Sequence, residues 1–155
     1  MNSEDFVEGG FSVEDMLEVA ALLEKAGVDA IELSGGSPFS PKYVSVRNGP
    51  IKSEEDEVYY REAARRYRER VRVPLVLVGG IRSYGVAEKI VEGDVADYIS
   101  LCRPLIREPG LINRWRSGDT RKSTCLSDNL CFNPARAGQG LFCMVEHSAR
   151  GGEAG

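Results

Sequence analysis

Residues 74–104 read PLVLVGGIRSYGVAEKIVEGDVADYISLCRP, and the order of apolar and polar runs in them decides the fold. The first run, residues 74–78, is continuously apolar and stops at Gly79 and Gly80. Strands of a parallel sheet that is covered on both faces have this pattern, because neither side of the strand meets water. We therefore expect a buried parallel strand here.

A helix and a second strand complete the unit. Ser83 is a favourable N-cap, apolar residues follow at helical spacing, and Gly93 stops the helix. Residues 96–101 are the next apolar run, which ends at Cys102 and Arg103. Strand, helix and strand in this order predict parallel strands joined by a right-handed crossover.

The alternation continues on both sides of this unit. Residues 12–27 predict a helix between a serine N-cap and a glycine, and residues 28–33 predict a strand. A proline-containing loop follows, and its length makes it a candidate functional loop. Residues 53–71 predict a second helix, and Pro109 begins a last one that contains Trp115. The chain is therefore α/β, either a small doubly wound sheet or part of an eight-stranded barrel.

Composition excludes several classes of protein. The 155 residues are 42% hydrophobic and 28% charged, which suits one globular domain, and the net charge of −4 disfavours a nucleic-acid-binding protein. The apolar runs are too short to span a membrane and no signal peptide is recognisable, so we expect a cytoplasmic protein with reduced cysteines. We interpret the arginines of the second helix as a solvated face paired with Glu62 and Glu69. His147 is the single histidine, which excludes a catalytic triad or a multi-histidine metal site within the chain.

The strand ends carry the chemistry, because ligands of parallel α/β folds bind at the C-terminal edges of the strands. Gly79 and Gly80 offer backbone N–H groups to a ligand, and Ser83 opens a helix whose N-terminus favours an anion. One strand later, Arg103 supplies a planar cation suited to phosphate. These residues predict a phosphate site. The alternative is that the glycines form only a tight turn and that Arg103 is a surface ion pair.

The same residues resemble the end of the barrel of the old yellow enzyme family, the NADH:flavin oxidoreductases and ene-reductases that include the 2,4-dienoyl-CoA reductase branch. The resemblance rests on VGGI at residues 78–81, ADYISL at 96–101 and CRPLI at 102–106. Residues 2–5 resemble the end of the family's fifth strand, and residues 10–36 its fifth helix and sixth strand. The resemblance implies the C-terminal half of a TIM (β/α)8 barrel that holds FMN at its top.

The resemblance also implies a set of cofactor-binding residues: Gly79, Gly80, Cys102, Arg103, Ser34 and Gly35. The two adjacent glycines would offer backbone to the FMN phosphate. The arginine would bind the phosphate, and the cysteine before it stands where the family has glycine. The last two residues, at the end of the first strand, would lie at the rim of the flavin or the substrate.

Part of the family's barrel is not matched. Its first half supplies contacts to the flavin's pyrimidine ring, the residues that bind the substrate, and a proton-donating tyrosine. We therefore expect no catalytic residue in this chain, a fragment that is inactive by itself, and pairing with a second copy or with a missing N-terminal half.

The activity implied by the resemblance is hydride transfer from NAD(P)H through FMN to a small-molecule substrate. The alternatives are a non-catalytic phosphate- or nucleotide-binding half-barrel and a structural remnant that needs a partner half. The expected parts of the chain are a partial barrel, a cysteine-containing extension and a disordered tail: residues 1–117, 118–147 and 148–155.

The cysteines form a separate candidate site. Cys125, Cys131 and Cys143 follow the last barrel helix, where the iron–sulfur branch of the family holds a [4Fe–4S] cluster. Asp128 stands where that pattern has a further cysteine. Three thiolates and one carboxylate could hold a cluster or a zinc ion, and the alternative is plain thiols without a metal.

Overall fold

Residues 1–40, 50–149 and 151 are described by the computed structural model of the chain. Within them, helices and strands follow the predicted alternation. Their bounds are α1 (Val13–Ala26), β1 (Ile31–Leu33), a 3-10 turn (Glu54–Asp56), α2 (Arg61–Arg70), β2 (Leu75–Leu77), α3 (Tyr84–Glu92), β3 (Tyr98–Ile99), α4 (Arg103–Arg107), α5 (Leu111–Arg116), α6 (Phe132–Arg136) and α7 (Met144–Ala149). Of the predicted functional loop, residues 41–49 lie outside the described part.

Three parallel strands form the sheet, in the order β1-β2-β3. Leu33 pairs with Leu77 in the register of the first two strands. Asn2 forms a parallel bridge with Ser34 at the end of β1, so the start of the chain lies where a preceding strand would lie. Neighbours in the sheet are neighbours in the sequence, without the reversal of order that defines a doubly wound sheet. This order confirms the prediction of a partial (β/α) barrel.

The helices pack against one face of the sheet. Ile31, Leu33, Leu75 and Leu77 point to this face, and each is at most 5% exposed. They share one core with apolar residues of the first three helices: Met16, Leu17, Ala20, Ala63, Ala64, Tyr67, Val86, Ala87 and Ile90. Burial of this apolar surface stabilises the layer by about 25 cal/mol per Å².

The opposite face of the sheet is more exposed. The register places Glu32, Val76 and Tyr98 in one row across it, and Tyr98 is 61% exposed. The expectation that residues 74–78 are covered on both faces is therefore wrong for Val76, which is half-buried. In a closed barrel this row faces the interior, where the remaining strands cover it. Three strands cannot close a barrel, so here the row stays uncovered by other strands.

The helix predicted over residues 53–71 is interrupted. The N–H of Ser53 donates to the Asp56 carboxylate at 3.3 Å and begins only one 3-10 turn, and α2 starts later. Val58 lies between them with a φ of 56°, a left-handed conformation that is rare for a β-branched residue. The break turns the side chain of Glu57 inward, where only 3% of the residue is exposed.

The arginines of α2 bind within the helix and beyond it. Arg65 pairs with Glu62 at 3.7 Å, which is the predicted intrahelical contact. Arg68 instead reaches the loop between α3 and β3, where it binds the carboxylates of Asp94 and Asp97. This contact ties α2 to the far edge of the sheet.

The helices beyond β3 are short. The last of them, α7, continues to Ala149 and so extends past the predicted start of the disordered tail. Arg150 and residues 152–155 lie outside the described part. None of the helices in the described ranges combines the length and the apolar character that crossing a bilayer requires.

Candidate functional site

A cavity of about 80 Å³ lies at the C-terminal ends of β2 and β3. It is lined by Gly80, Cys102 and Arg103, three of the predicted cofactor-binding residues. The strands position these residues because both end at the same edge of the sheet. The sequence therefore predicted correctly that the residues following two separate strands meet in space.

Arg103 is the first residue of α4 and is only 8% exposed. Its Nη1 donates to the Oδ1 of Asn129 at 2.6 Å. A buried guanidinium is costly unless polar or anionic groups surround it, and the amide oxygen of Asn129 is one such group. Cys102 precedes it with a φ of −111°, a conformation that accepts a side chain.

Gly79 and Gly80 form the loop on the other side of the cavity. Their φ values are 139° and 75°, which residues with a side chain rarely adopt. Aromatic rings also pack on this loop: a Cβ on Gly80 would lie 2.6 Å from Cε1 of Tyr59, and one on Gly79 would lie 3.0 Å from Cδ2 of Tyr60. The glycines are thus required by backbone shape and by tyrosine packing, independently of any ligand.

The N-terminus of α3 holds a carboxylate of the chain itself. Glu57 accepts the N–H of Arg82 at 2.7 Å and the N–H of Ser83 at 3.1 Å. The Ser83 hydroxyl donates to the other oxygen of Glu57 at 2.6 Å. The prediction that this helix N-terminus favours an anion is right in its physics, but the anion is an internal side chain. Glu57 lies within the helix predicted over residues 53–71, and nothing in its local sequence signals that its side chain is buried.

Arg82 is a second buried guanidinium at the cavity and was not predicted. It is 7% exposed, its Nη1 donates to the carbonyl of Cys125 at 2.7 Å, and its Nη2 donates to the carbonyl of Ile51. Its Nε is buried and has no acceptor among the described residues. Arg82 thereby joins the loop after β2 to two segments that are distant in the sequence. An arginine two residues past a glycine pair gives no signal of such a role.

Ser34 and Gly35 lie at the end of β1, apart from the cavity lining. The N–H of Ser34 donates to the carbonyl of Met1 at 3.0 Å. The carbonyl of Gly35 accepts the hydroxyl of Tyr60 at 2.6 Å, and the ring of Tyr60 occupies the space between this strand end and Gly79. The structure therefore keeps these two predicted residues separate from the other four.

The four predicted metal ligands line another cavity, of about 20 Å³, and Arg103 also lies in its wall. These ligands are Cys125, Asp128, Cys131 and Cys143. Burial, and then the neighbouring thiol, raise the pKa of Cys131. In the described part of the chain, no three histidine, cysteine or acidic side chains are arranged to hold a metal ion. Nη1 of Arg107 instead donates to the sulfur of Cys143 at 3.6 Å. In this structure the four residues do not form a ligand set for a cluster or for zinc.

The fold and the cavity define part of a parallel (β/α) barrel with two buried arginines, Arg82 and Arg103, at its strand ends. No family model matches the chain. An NADH oxidase of Thermoanaerobacter brockii is 30% identical over 143 residues, which are 90% of this chain and 21% of the relative. An NADH-dependent flavin oxidoreductase of a Neonectria species is 35% identical over 70% of this chain and 15% of its own length.

Solved structures agree with these relatives. A 2-naphthoyl-CoA reductase complex matches with a TM-score of 0.75 and 26% identity, over 94% of this chain and 22% of that protein. An old yellow enzyme homologue from Zymomonas mobilis matches in fold with a TM-score of 0.50 and 19% identity, over 76% of this chain and 30% of that protein. The chain belongs to the old yellow enzyme family and spans about a fifth of the length of the first relative.

Proposed function

We propose that the chain forms the phosphate-binding part of an FMN-dependent oxidoreductase that takes hydride from NAD(P)H and passes it to a small-molecule acceptor. The observation that carries the proposal is the buried guanidinium of Arg103 beside Gly80 and Cys102 at the ends of adjacent strands. The names of the relatives, an NADH oxidase and an NADH-dependent flavin oxidoreductase, support the reaction class.

The cavity fits the phosphate end of FMN in its chemistry. Arg103 would bind the phosphate oxygens, and the backbone N–H groups of Gly79, Gly80 and Cys102 would complete the contact. When bound, FMN supplies the hydride-accepting and hydride-donating ring. The residues of this chain contribute binding and orientation: they hold the phosphate at the strand ends and so fix the position from which the rest of the cofactor extends.

Replacing Arg103 by alanine tests the proposal. FMN affinity should fall by about 1.5–3 kcal/mol, the usual worth of a hydrogen bond to a charged group. FMN fluorescence quenching during titration with the protein measures the affinity. Arg116→Ala is the matched control, because Arg116 is exposed at the end of α5 and does not line the cavity. Equal FMN affinity of Arg103→Ala and the control would refute the proposal.

We also propose that the chain by itself does not turn over NAD(P)H with an enone acceptor. The chain spans only a small share of its relatives' length, and the cavity offers groups that bind an anion rather than groups that protonate a substrate. Stopped-flow or steady-state oxidation of NADPH in the presence of FMN measures this. A rate well above that of free FMN with the same acceptor would contradict it.

A second candidate is a phosphate-binding half-barrel that acts only after pairing with a second copy of the chain. The row of Glu32, Val76 and Tyr98 on the sheet favours it, because Glu32 and Tyr98 are exposed and an uncovered sheet face and open strand edges promote association. Light scattering across a concentration series should report a dimer or larger species. A monodisperse monomer that unfolds cooperatively would exclude this candidate.

A further inference from the structure

The guanidinium of Arg82 forms fewer hydrogen bonds than it can make. Arginine carries five N–H donors in one plane. Within the described residues the side chain forms two bonds: Nη1 donates to the carbonyl of Cys125 at 2.7 Å, and Nη2 donates to the carbonyl of Ile51. Nε is buried and has no acceptor in that part of the chain. Because the residue is only 7% exposed, bulk water does not readily satisfy the remaining donors.

The charge of Arg82 is not paired either. Both acceptors are neutral carbonyl oxygens, and no carboxylate among the described residues forms an ion pair with the guanidinium. The carboxylate of Glu57 instead accepts the backbone N–H of Arg82 and both the N–H and the hydroxyl of Ser83. Its hydrogen bonds therefore go to the start of α3. Burying a cation without an ion pair is costly, so an anionic ligand would stabilise this site.

Arg82 lies in the wall of the cavity at the strand ends. The described residues of this lining include two arginines, Arg82 and Arg103, and no acidic side chain. Arg103 has partners of its own, Asn129 among them, whereas Arg82 keeps donors without an acceptor in the described part. The cavity of about 80 Å³ is larger than the roughly 10–15 Å³ that one water needs, so it has room for a group of several heavy atoms.

We propose that Arg82 is a further anion-binding residue of this cavity: the bound phosphate accepts hydrogen bonds from its remaining N–H groups, Nε–H among them, and acts as its counterion. The proposal rests on the proposed function, in which the cavity binds the phosphate of FMN, and Arg103 can keep all of its present contacts. A phosphate monoester suits the site because a planar guanidinium can donate two parallel bonds to phosphate oxygens.

Two substitutions at Arg82 separate the charge from the support of neighbouring segments. Arg82→Lys keeps the positive charge and removes the planar fork, and Arg82→Gln removes the charge but keeps N–H donors for a carbonyl. Arg116→Gln is the matched control, because Arg116 is exposed and does not line the cavity. Affinities for FMN and for riboflavin, which lacks the phosphate, are measured for each variant, together with the urea midpoint of unfolding.

We expect Arg82→Gln to weaken FMN binding about ten- to a hundredfold, the worth of a charge-assisted hydrogen bond, and to change riboflavin affinity less than about threefold. Arg82→Lys should weaken FMN binding by a smaller factor, about three- to tenfold, because the charge remains. The control should leave both affinities unchanged. A purely structural role would instead weaken FMN and riboflavin by the same factor, and that result would overturn the proposal.

The unaltered chain provides a test that does not require Arg82→Gln to fold. The Nε–H group of Arg82 gives a ¹H–¹⁵N cross-peak, which is assigned by its loss in Arg82→Lys. Saturating FMN should move this peak downfield, because the Nε–H gains a phosphate acceptor, and riboflavin should leave it in place. A peak that stays in place with FMN bound would show that the phosphate does not reach Nε–H, and the proposal would be wrong.

The outcomes that overturn the role of Arg82 differ from those that overturn the proposed function. If Arg103→Ala binds FMN as tightly as its control, the phosphate site itself is wrong. If Arg103→Ala loses affinity for FMN but Arg82→Gln binds FMN as tightly as Arg116→Gln, the phosphate site stands and the role of Arg82 is wrong.

Discussion

The sheet layer (residues 1–101) and the C-terminal arm (residues 102–149) are held together in different ways. The core cluster of buried apolar residues lies entirely in the sheet layer, from Met16 to Ala96. In the arm, the buried apolar side chains other than proline are Leu111, Trp115 and Cys131. The sheet layer is therefore stabilised mainly by the removal of apolar surface from water.

In the arm, hydrogen bonds and ion pairs of two arginines hold the segments together where apolar packing is sparse. Arg114 donates to the carboxylate of Glu108 and to the carbonyls of Asp119 and Arg121, each carbonyl at 2.9 Å. Arg107 binds three side chains in the same way: Thr124, Cys143 and Glu146. One short chain can therefore use apolar packing to fix its scaffold and charged hydrogen bonds to fix the segment that borders the cavity at the strand ends. The two parts should then respond to different perturbations.

The largest effect is expected from lost volume in the sheet layer. Leu77 lies in the central strand and is fully buried, so Leu77→Ala should lower the free energy of unfolding by about 2–5 kcal/mol. Urea unfolding followed by circular dichroism measures this. Leu126→Ala, at a position in the arm that is 57% exposed, should change it by less than about 0.5 kcal/mol. Similar losses for the two variants would remove the distinction between the parts.

An ion-pair network inside the sheet layer should have the next largest effect. Arg68 binds Asp97, whose carboxylate also accepts the N–H of Leu75 at 2.7 Å, so the network joins α2 to the sheet. Arg68→Ala should cost about 1–2 kcal/mol, because the guanidinium is mostly shielded and its hydrogen bonds are charge-assisted. Arg65→Ala breaks an exposed pair with Glu62 and should cost less than about 0.5 kcal/mol. Equal unfolding midpoints for the two variants would show that the network contributes no more than a surface pair.

Acid should loosen the arm before the sheet layer. Hydrogen bonds from Arg114 lower the pKa of Glu108 below its ordinary value of about 4.5. A carboxyl group with a depressed pKa adds stability that is present above its unfolded pKa and lost as pH falls through its folded pKa. We therefore expect the fluorescence of Trp115, the single tryptophan, to shift to the red below about pH 4.5 while the far-UV circular dichroism of the helices persists.

Glu108→Gln is the variant that checks the cause of this acid step. Glutamine keeps a hydrogen-bond acceptor for Arg114 and does not titrate, so the pH dependence of the Trp115 signal should become shallower. Coincident acid transitions of Trp115 and of the circular dichroism would show that the arm and the sheet layer unfold as one unit.

The smallest effect is expected in the alkylation rates of the thiols. Cys102 lies at the cavity at the strand ends, and Cys131 lies in the interior of the arm. Cys102 is exposed, whereas Cys131 is 7% exposed and burial raises its pKa. A raised pKa lowers the thiolate fraction, so iodoacetamide at pH 8 should alkylate Cys102 at least about tenfold faster than Cys131. Peptide mass spectrometry over a time course gives the order, and faster labelling of Cys131 would contradict the packing of the arm.

Local patterns predicted the scaffold well. As expected, α1 begins after the N-cap Ser12 and ends at Gly27, which is left-handed. Asp15 completes a capping box with Ser12. The apolar runs after residues 74 and 96 became adjacent parallel strands. These features were predictable because each depends on residues within one helix or strand and on the sheet rule that parallel strand ends share an edge.

The failures have a common physical origin in long-range contacts. A continuous helix was predicted over residues 53–71, but Val58 breaks it, and the N–H groups of Arg82 and Ser83 hold Glu57 inward. Arg82 carries no local signal, yet it bonds to Ile51 and Cys125 from distant segments. Periodicity and capping rules describe neighbours in the sequence, so they cannot foresee such contacts.

The sequence by itself determined the alternation of helices and strands, the parallel sheet and the meeting of Gly80 with Arg103, since apolar period and chain order settle these. Only the tertiary structure decided which cations are buried, which carboxylate caps α3, and that Asn129 accepts a hydrogen bond from Arg103. The physical reason is that the burial and orientation of a polar side chain depend on its partners. Those partners come from distant segments, so they meet only when the chain has folded.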